Sequence, residues 1–263
     1  MSVLARYSDL AGRRTLVTGA SSGIGLGIAE ALLEQGGAVA VQYRSGRAAA
    51  EALCARFPGR AVAVQAELGT EAGCVALVAE AARALGGLDG LVHSAGIWND
   101  GAIGSLGAAT LEEIFRVNCF SAFYLVRQLV PLLGQRGRGS VIFIGSTAGQ
   151  RGEAGHGHYA ATKGALQSLA MSLAVELGPG TRVNVVSPGW VRTPMAEAEL
   201  EVIGPRISGA LPNRRVAEVD DVVQATLFLA SEASGHLTGE NLGVSGGALL
   251  VVPRGQLVTF EDR

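Results

Sequence analysis

Short apolar runs alternate with longer segments of helical periodicity along nearly the whole chain. The apolar runs, which predict strands, cover residues 15–17, 39–43, 61–64, 88–93, 140–144, 182–186 and 241–244. The periodic segments, which predict helices, cover the stretch after Gly25 to about residue 35, then 47–57, 71–85, 108–133, about 159–177 and 218–230. Strands that alternate with helices predict a parallel sheet with helices on both faces. With no repeat or linker in sight, we predict one α/β domain over residues 1–263.

A glycine-rich sequence, T-G-A-S-S-G-I-G over residues 18–25, follows the first predicted strand and leads into the first predicted helix. In this position Gly19 permits a tight turn, Gly23 lets a phosphate approach the backbone, and Gly25 lets helix and strand pack closely. The helix N-terminus would face the anion. The order predicts a pyrophosphate site, and the alternative is a plain glycine-rich turn.

A tyrosine and a lysine stand four residues apart on the helix predicted after the fifth strand. Tyr159 and Lys163 therefore share a helix face, one turn apart. A free tyrosine has a pKa of about 10, and a neighbouring ammonium group would lower it towards neutral pH. Ser146, at the end of the preceding strand, could donate to the same reacting oxygen. The pattern predicts acid–base chemistry, and the alternative is an ordinary amphipathic pair.

Composition excludes several classes of function. The formal net charge of -2 and a pI of about 6.1 give no electrostatic case for binding nucleic acid or an anionic membrane. Cys54, Cys74 and Cys119 form no C-x-x-C motif, and so sparse a set is typical of reduced thiols in the cytoplasm. No apolar run approaches the ~20 residues of a membrane helix. The first residues lack the apolar core of a secretory signal. We expect a cytoplasmic enzyme.

Taken together, the motifs resemble the classical short-chain dehydrogenases/reductases, over roughly residues 10–247. The residues that carry the resemblance are the T-G-x-x-x-G-x-G loop at 18–25, Asn118, Ser146, Tyr159 with Lys163, Pro188-Gly189 followed by Thr193, Thr238-Gly239-Glu240, and the V-S-G-G sequence at 244–247. The sequence is most similar to the branch with the 3-oxoacyl-carrier-protein reductases and the bacterial glucose dehydrogenases. The resemblance implies a Rossmann-type, doubly wound, seven-stranded parallel sheet and usually a homotetramer.

It also implies catalytic roles. Tyr159 would be the general acid/base, and Lys163 would lower its pKa and hold the nicotinamide ribose. Ser146 would polarise the substrate carbonyl, and Asn118 would complete a proton relay to Lys163 through its backbone and a water. The residues expected to bind the dinucleotide are Gly19, Ser21, Ser22, Gly23, Ile24, Gly25, Arg44, Ser45, Glu67, Leu68, Ser94, Ala95, Gly96, Tyr159, Lys163, Pro188, Gly189, Val191 and Thr193.

Three positions depart from the family pattern. The usual N-N-A-G is His93-Ser94-Ala95-Gly96, so the contact of the family's asparagine to the sheet cannot be carried over. Glu67 stands where an aspartate usually touches adenine, and Ser245 replaces the aspartate of the last motif. None of the three changes removes a catalytic group.

The end of the second strand bears on the choice of cofactor. Folds that prefer NAD usually place a carboxylate there for the ribose hydroxyls, whereas this chain has no acidic residue between Glu34 and Glu51. Arg44 offers a guanidinium fork to a 2′-phosphate, with hydroxyls from Ser45 and Ser21. We predict a preference for NADP, with NAD also accepted, and the alternative is a solvated Arg44.

Other residues keep two interpretations. His156 and His158 alone do not make a zinc site, so we predict no metal, and His156 either lines the pocket or does not. Trp190 and the less regular segment 193–213 are either core or a lid over the substrate. Arg136 and Arg138 are either a solvated loop or a contact for an acyl carrier protein. The loop before the sixth strand lacks the basic residue that relatives acting on carrier proteins often have. The C-terminal tail, residues 248–263, either joins a subunit contact or forms part of the lid.

The leading functional hypothesis is an NADPH-dependent reductase of a small ketone or 3-oxoacyl group. The first alternative is an NAD(P)-dependent alcohol, sugar or diol dehydrogenase, which would use the same residues. The second is a non-catalytic dinucleotide sensor. Ser146, Tyr159 and Lys163 argue against a sensor, since a sensor has no need of a tuned phenol.

Overall fold

The computed structural model describes residues 4–137 and 139–250. The strands are β1 (Arg14–Thr18), β2 (Ala38–Tyr43), β3 (Ala61–Gln65), β4 (Gly90–His93), β5 (Gly139–Ile144), β6 (Thr181–Pro188) and β7 (Asn241–Val244). The α-helices are α1 (Gly23–Glu34), α2 (Arg47–Arg56), α3 (Glu71–Leu85), α4 (Ala108–Phe115), α5 (Ser121–Leu129), α6 (Ala148–Arg151), α7 (Gly157–Leu177), α8 (Glu197–Ala210) and α9 (Val219–Ala230).

The seven strands form one parallel sheet in the order β3-β2-β1-β4-β5-β6-β7. This confirms the predicted doubly wound α/β fold. Chain order reverses between β1 and β4, which pair with Thr18 opposite His93. At such a switch point the loops that follow the two strands diverge and leave a crevice at the carboxyl ends, which is where ligands bind in open α/β sheets.

Each face of the sheet buries its own apolar cluster. Successive side chains of a strand point to opposite faces, so Leu16 packs with α3, α5 and α7 on one side and Val17 with α1 and α9 on the other. Both residues are fully buried. Burial on both sides explains why the strands read as continuous apolar runs and not as alternating ones.

Two predicted elements differ from the structure. The long helix expected over residues 108–133 contains a π-helical segment, Arg116–Phe120, and its last α-helical part ends at Leu129. The hydrophobic periodicity does not predict this segment, in which the side chain of Asn118 is bonded to the distant backbone of Ile97. The segment 193–213, expected to be less regular, contains α8, whose apolar pattern is interrupted by Pro205.

Within the described ranges, no helix is long and apolar enough to cross a membrane. The same residues include no group of three or more His, Cys, Asp or Glu side chains that could hold a metal ion.

Candidate active site

A cleft of about 350 Å³ opens at the carboxyl ends of the strands, across the switch point. Every residue expected to bind the dinucleotide lines this cleft, as do Ser146, Tyr159 and Lys163. The lining residues that the sequence did not single out include Gln42, Ala66, Ile97, Trp98, Val117, Thr147, Arg151 and Glu153. Residues far apart in the chain thus meet in one place, as the motifs predicted.

The glycine loop is held in a shape that only glycine allows. Gly19 has a φ of +64°, and a Cβ added there would lie 2.8 Å from the Cα of Ala95. A Cβ added at Gly25 would lie 2.3 Å from the carbonyl oxygen of Gly19. The bare backbone that results, followed at Gly23 by the start of α1, fits the pyrophosphate of a dinucleotide.

Gln42 supports this loop from the neighbouring strand. The backbone N–H of Gly19 donates to Oε1 of Gln42 over 2.8 Å, and Nε2 of Gln42 donates to the carbonyl oxygen of Ala66 over 2.9 Å. A buried polar side chain in an otherwise apolar strand is the signal that could have identified it, because such a group needs partners.

A chain of hydrogen bonds joins the glycine loop to the π-helical segment through His93. Nδ1 of His93 lies 2.9 Å from Oγ1 of Thr18, and Nε2 lies 3.1 Å from Oγ of Ser121. Ser121 gives its proton to the carbonyl oxygen of Val117 over 2.6 Å, so it accepts from Nε2–H of His93. Nδ1 then accepts from Thr18, whose Oγ1 also accepts from the backbone N–H of Ala95 over 3.1 Å.

This arrangement requires a neutral imidazole. Burial, the larger effect, and the charge of Lys163 together lower the pKa of His93 to about 3. His93 therefore replaces the family's asparagine with a different bridge, one that spans β1, β4 and the residues around Asn118.

Asn118 lies behind the cleft wall and not in it. Its Nδ2 donates to the carbonyl oxygen of Ile97 and its Oδ1 accepts from the N–H of the same residue, both over 2.8 Å. Nδ2 also lies 3.3 Å from Oγ1 of Thr162. The side chain thereby holds the loop after β4 against α7. A relay through its backbone stays a prediction.

The Tyr159–Lys163 pair has an electrostatic state that the sequence did not predict. Burial, the largest effect, and the charge of Glu153 together raise the pKa of Tyr159 to about 12, although the hydrogen bond with Ser146 acts to lower it. This net direction is opposite to the lowered pKa that the spacing of Tyr159 and Lys163 predicts, and the effect of the Lys163 charge on it stays a prediction. Nζ donates to the carbonyl oxygen of Ile144 over 2.8 Å and lies 5.7 Å from the centre of the Tyr159 ring.

Lys163 is itself perturbed. Its side chain is buried, and burial lowers its pKa to about 8. A phenol with a pKa of about 12 keeps its proton at neutral pH. Ser146 lies beside it, with its Oγ fixed by the backbone N–H of Ala148 over 3.1 Å. The arrangement can therefore offer hydrogen-bond donors to a carbonyl oxygen and a proton to an alkoxide.

The opposite end of the cleft holds the residues expected to choose between NADP and NAD. Arg44 and Ser45 are exposed at the end of β2. Ser21 packs close by, since a Cβ added at Gly46 would lie 2.5 Å from its Oγ. A guanidinium and two hydroxyls thus gather where a 2′-phosphate could bind. Oε1 of Glu67 accepts from the N–H of Gly69 over 2.9 Å.

The remaining candidate residues differ in whether they line the cleft. Trp190 lines the cleft, as does Met195 at the start of the predicted lid. His156 does not line it and instead stacks on Trp98 with ring centres 4.4 Å apart. Arg136 pairs with Asp89 over 3.3 Å. Arg138 and the tail from residue 251 lie outside the described residues.

Comparison with known proteins places these features in a family. The family model described as "Enoyl-(Acyl carrier protein) reductase" matches residues 19–248. An acetoacetyl-CoA reductase from Allochromatium vinosum is 35% identical over 90% of this chain and 99% of its own length.

Solved structures agree. A structure titled short-chain dehydrogenase/reductase SDR: glucose/ribitol dehydrogenase, from Brucella melitensis, superposes with a TM-score of 0.89 at 30% identity, covering 94% of this chain and all of that one. A short-chain dehydrogenase from Burkholderia cenocepacia in complex with NADP has a TM-score of 0.86 at 32% identity, covering 92% of this chain and all of that one. The matched range contains the glycine loop, the Ser146–Tyr159–Lys163 group and the switch-point cleft, and the chain belongs to the classical short-chain dehydrogenase/reductase family of NAD(P)-binding oxidoreductases.

Proposed function

We propose that the chain reduces a ketone or a 3-oxoacyl group to a secondary alcohol, with NADPH as the preferred hydride donor. The observation that carries the proposal is the group formed by Ser146, Tyr159 and Lys163 at the cleft, with the phenol protonated at neutral pH. The A. vinosum relative, named for the reduction of an oxo group, supports the same direction.

The bound nicotinamide supplies the hydride, and the chain's own residues supply position and the proton. Ser146 and Tyr159 hold the carbonyl oxygen between two hydroxyl groups. Tyr159 delivers its proton to that oxygen as negative charge develops on it. Lys163 stands behind the phenol as an ammonium group whose other contact is the carbonyl of Ile144. The proton relay through Asn118 belongs to the same proposal.

The preference for NADPH rests on Arg44. No acidic residue stands between Glu34 and Glu51 to repel a 2′-phosphate, and Ser21 and Ser45 lie beside the guanidinium. The B. cenocepacia structure contains NADP, which fits this preference. NADH remains an accepted donor, since none of the described residues that line this end of the cleft excludes a free ribose hydroxyl.

A dehydrogenase acting on an alcohol, sugar or diol is the second candidate. The B. melitensis neighbour, titled glucose/ribitol dehydrogenase, favours it. Both candidates use the same residues, because reduction and oxidation pass through one transition state. They differ in the substrate that the cleft accepts and in whether the protein mainly reduces or oxidises it.

The test is a panel of ketones, acetoacetyl thioesters, sugars and diols with each cofactor, followed by nicotinamide absorbance. Reduction of a ketone or thioester with a higher kcat/KM for NADPH than for NADH supports the proposal. Oxidation of a sugar or diol as the only turnover favours the second candidate. If no compound is turned over, the remaining hypothesis is that the protein is a non-catalytic dinucleotide sensor.

Assembly and location complete the proposal. We infer a homotetramer, because large apolar side chains stand exposed on α7 and beside Asn118, with Phe120 43%, Phe123 49% and Met171 54% exposed. Docking to an acyl carrier protein is not favoured, since Arg136 is already paired with Asp89. The cytoplasm is the compartment that suits three free cysteines.

A further inference from the structure

The two tryptophans of the chain meet at the substrate end of the cleft. Trp98 follows β4 and Trp190 follows β6, and both line the cleft. Their ring centres lie 6.0 Å apart at an interplanar angle of 81°, an edge-to-face arrangement. We call this pair the tryptophan wall. Tyr159 lines the same cleft, so a substrate held by the phenol can reach the wall.

Contacts with His156 hold the ring of Trp98 in place. His156 stacks on Trp98 with ring centres 4.4 Å apart and planes 19° apart. Nδ1 of His156 is bonded to the carbonyl oxygen of Asn99 over 2.9 Å, and the Oδ1 of Asn99 is bonded to Nε2 of His158 over 2.8 Å. A rigid aromatic surface loses little entropy when a flat group packs on it, which makes it an effective selector.

A carboxylate also lines the cleft. Glu153 is partly buried and lines the cleft, and its negative charge is felt at the hydroxyl of Tyr159, where it raises the pKa. The same charge acts on any anion placed beside the reacting carbonyl. Arg151 also lines the cleft, at its exposed rim.

We propose that the tryptophan wall and Glu153 select neutral ketones that carry an aromatic ring a few bonds from the carbonyl, and disfavour keto acids. The ring packs on the wall while Ser146 and Tyr159 hold the carbonyl oxygen. An aromatic contact of this kind contributes about two- to tenfold beyond the effect of burying the ring. This inference rests on the proposed reductase function and names its substrate class.

A matched pair of ketones tests the wall. 4-Phenyl-2-butanone and 2-butanone differ by a phenyl group that is not conjugated to the carbonyl, so their intrinsic reactivity is similar. We expect kcat/KM with NADPH to be at least about tenfold higher for the phenyl compound. Trp98→Ala should lower that ratio about fivefold or more, and Trp98→Phe should largely retain it. Val75→Ala, an exposed residue of α3 outside the cleft, is the control.

A second pair tests the carboxylate. Methyl acetoacetate is a neutral ester and acetoacetate is the carboxylate anion of the corresponding acid, so their ratio of kcat/KM measures the discrimination against charge. We expect Glu153→Gln to improve acetoacetate about tenfold relative to its ester, because a like-charge contact is removed. The phenyl preference should be unchanged in this variant.

Tryptophan emission gives a readout that does not need turnover. All of it comes from the wall, because the chain has only the 2 tryptophans. We expect 4-phenyl-2-butanone to quench it saturably, at far lower concentration than 2-butanone, in the NADP⁺ complex.

Turnover with no phenyl preference, or a preference that Trp98→Ala leaves intact, would overturn the inference but not the reductase. If no ketone is reduced, the reductase fails, and emission alone decides: saturable quenching supports the wall, and quenching no stronger than that by 2-butanone refutes it.

Discussion

The ammonium nitrogen of Lys163 donates a hydrogen bond to the carbonyl oxygen of Ile144 over 2.8 Å, and the lysine is buried. Burial lowers its pKa to about 8, so the group is protonated below that pH and loses its charge above it. Tyr159, with a pKa of about 12, does not titrate in the same range. Reduction that needs the ammonium charge should therefore have a plateau below about pH 8 and fall above it.

The pH profile of kcat/KM for ketone reduction checks this prediction. In Lys163→Arg, whose guanidinium stays charged, any remaining activity should lose the fall near pH 8. A wild-type profile that stays flat to pH 10 would show that the charge of Lys163 is not needed.

The hydrogen bonds of His93 to Thr18 and Ser121 should stabilise the folded protein. In His93→Phe the hydroxyls of Thr18 and Ser121 each lose a buried partner, at a cost of about 1–3 kcal/mol per unsatisfied group. His93→Asn, which restores a side chain able to donate and accept, should recover part of the loss. Urea unfolding measures the free energy, and His236→Phe, at an exposed position, is the matched control. Equal stability of His93→Phe and the wild type would exclude the bridge.

The proposed preference for NADPH over NADH depends on the positive charge of Arg44. Loss of a charge-assisted contact to phosphate costs about 1.5–3 kcal/mol, so Arg44→Ala should weaken NADPH binding about ten- to a hundredfold. NADH binding should change little, because it has no 2′-phosphate. Dissociation constants from nucleotide fluorescence provide the measurement, with Arg47→Ala, whose side chain faces Glu51, as the control. Equal weakening for both nucleotides, or a wild type that already favours NADH, would contradict the assignment.

The exposed apolar residues on and beside α5 and α7 predict assembly. Buried against a second copy across a two-fold axis, Phe123 and Val175, now 49% and 84% exposed, would leave water. Light scattering should give a tetramer, and Val175→Glu should shift it towards smaller species. A dilute monomer with full activity would count against the assembly.

Much of the site could be predicted from the sequence because its signals are local. The glycines of the loop at residues 18–25 and the spacing of Tyr159 and Lys163 are patterns within one turn or one helix. The position of Arg44 at the end of a strand, with no acidic residue nearby, predicts its role from the sequence. These patterns fix which residues face the cleft, and the structure places them there.

The rest could not be predicted because it depends on contacts between distant segments. The π-helical segment forms where Asn118 bonds to Ile97, 21 residues away. The bridge of His93 joins Thr18, 75 residues before it, to Ser121. The pKa of Tyr159 is raised chiefly by burial, which no spacing reveals, so its net direction is opposite to the predicted one. Trp98 lies in no motif, and its place in the site depends on packing against Trp190 and His156.

The proposed reduction depends on Tyr159 to deliver the proton to the substrate oxygen. Tyr159→Phe keeps the ring and removes the acid, so single-turnover NADPH oxidation with a ketone that the wild type reduces tests this role most directly. We expect a rate at least about 10²-fold lower, with the dissociation constant for NADPH changed little. A variant that oxidises NADPH at nearly the wild-type rate would contradict it.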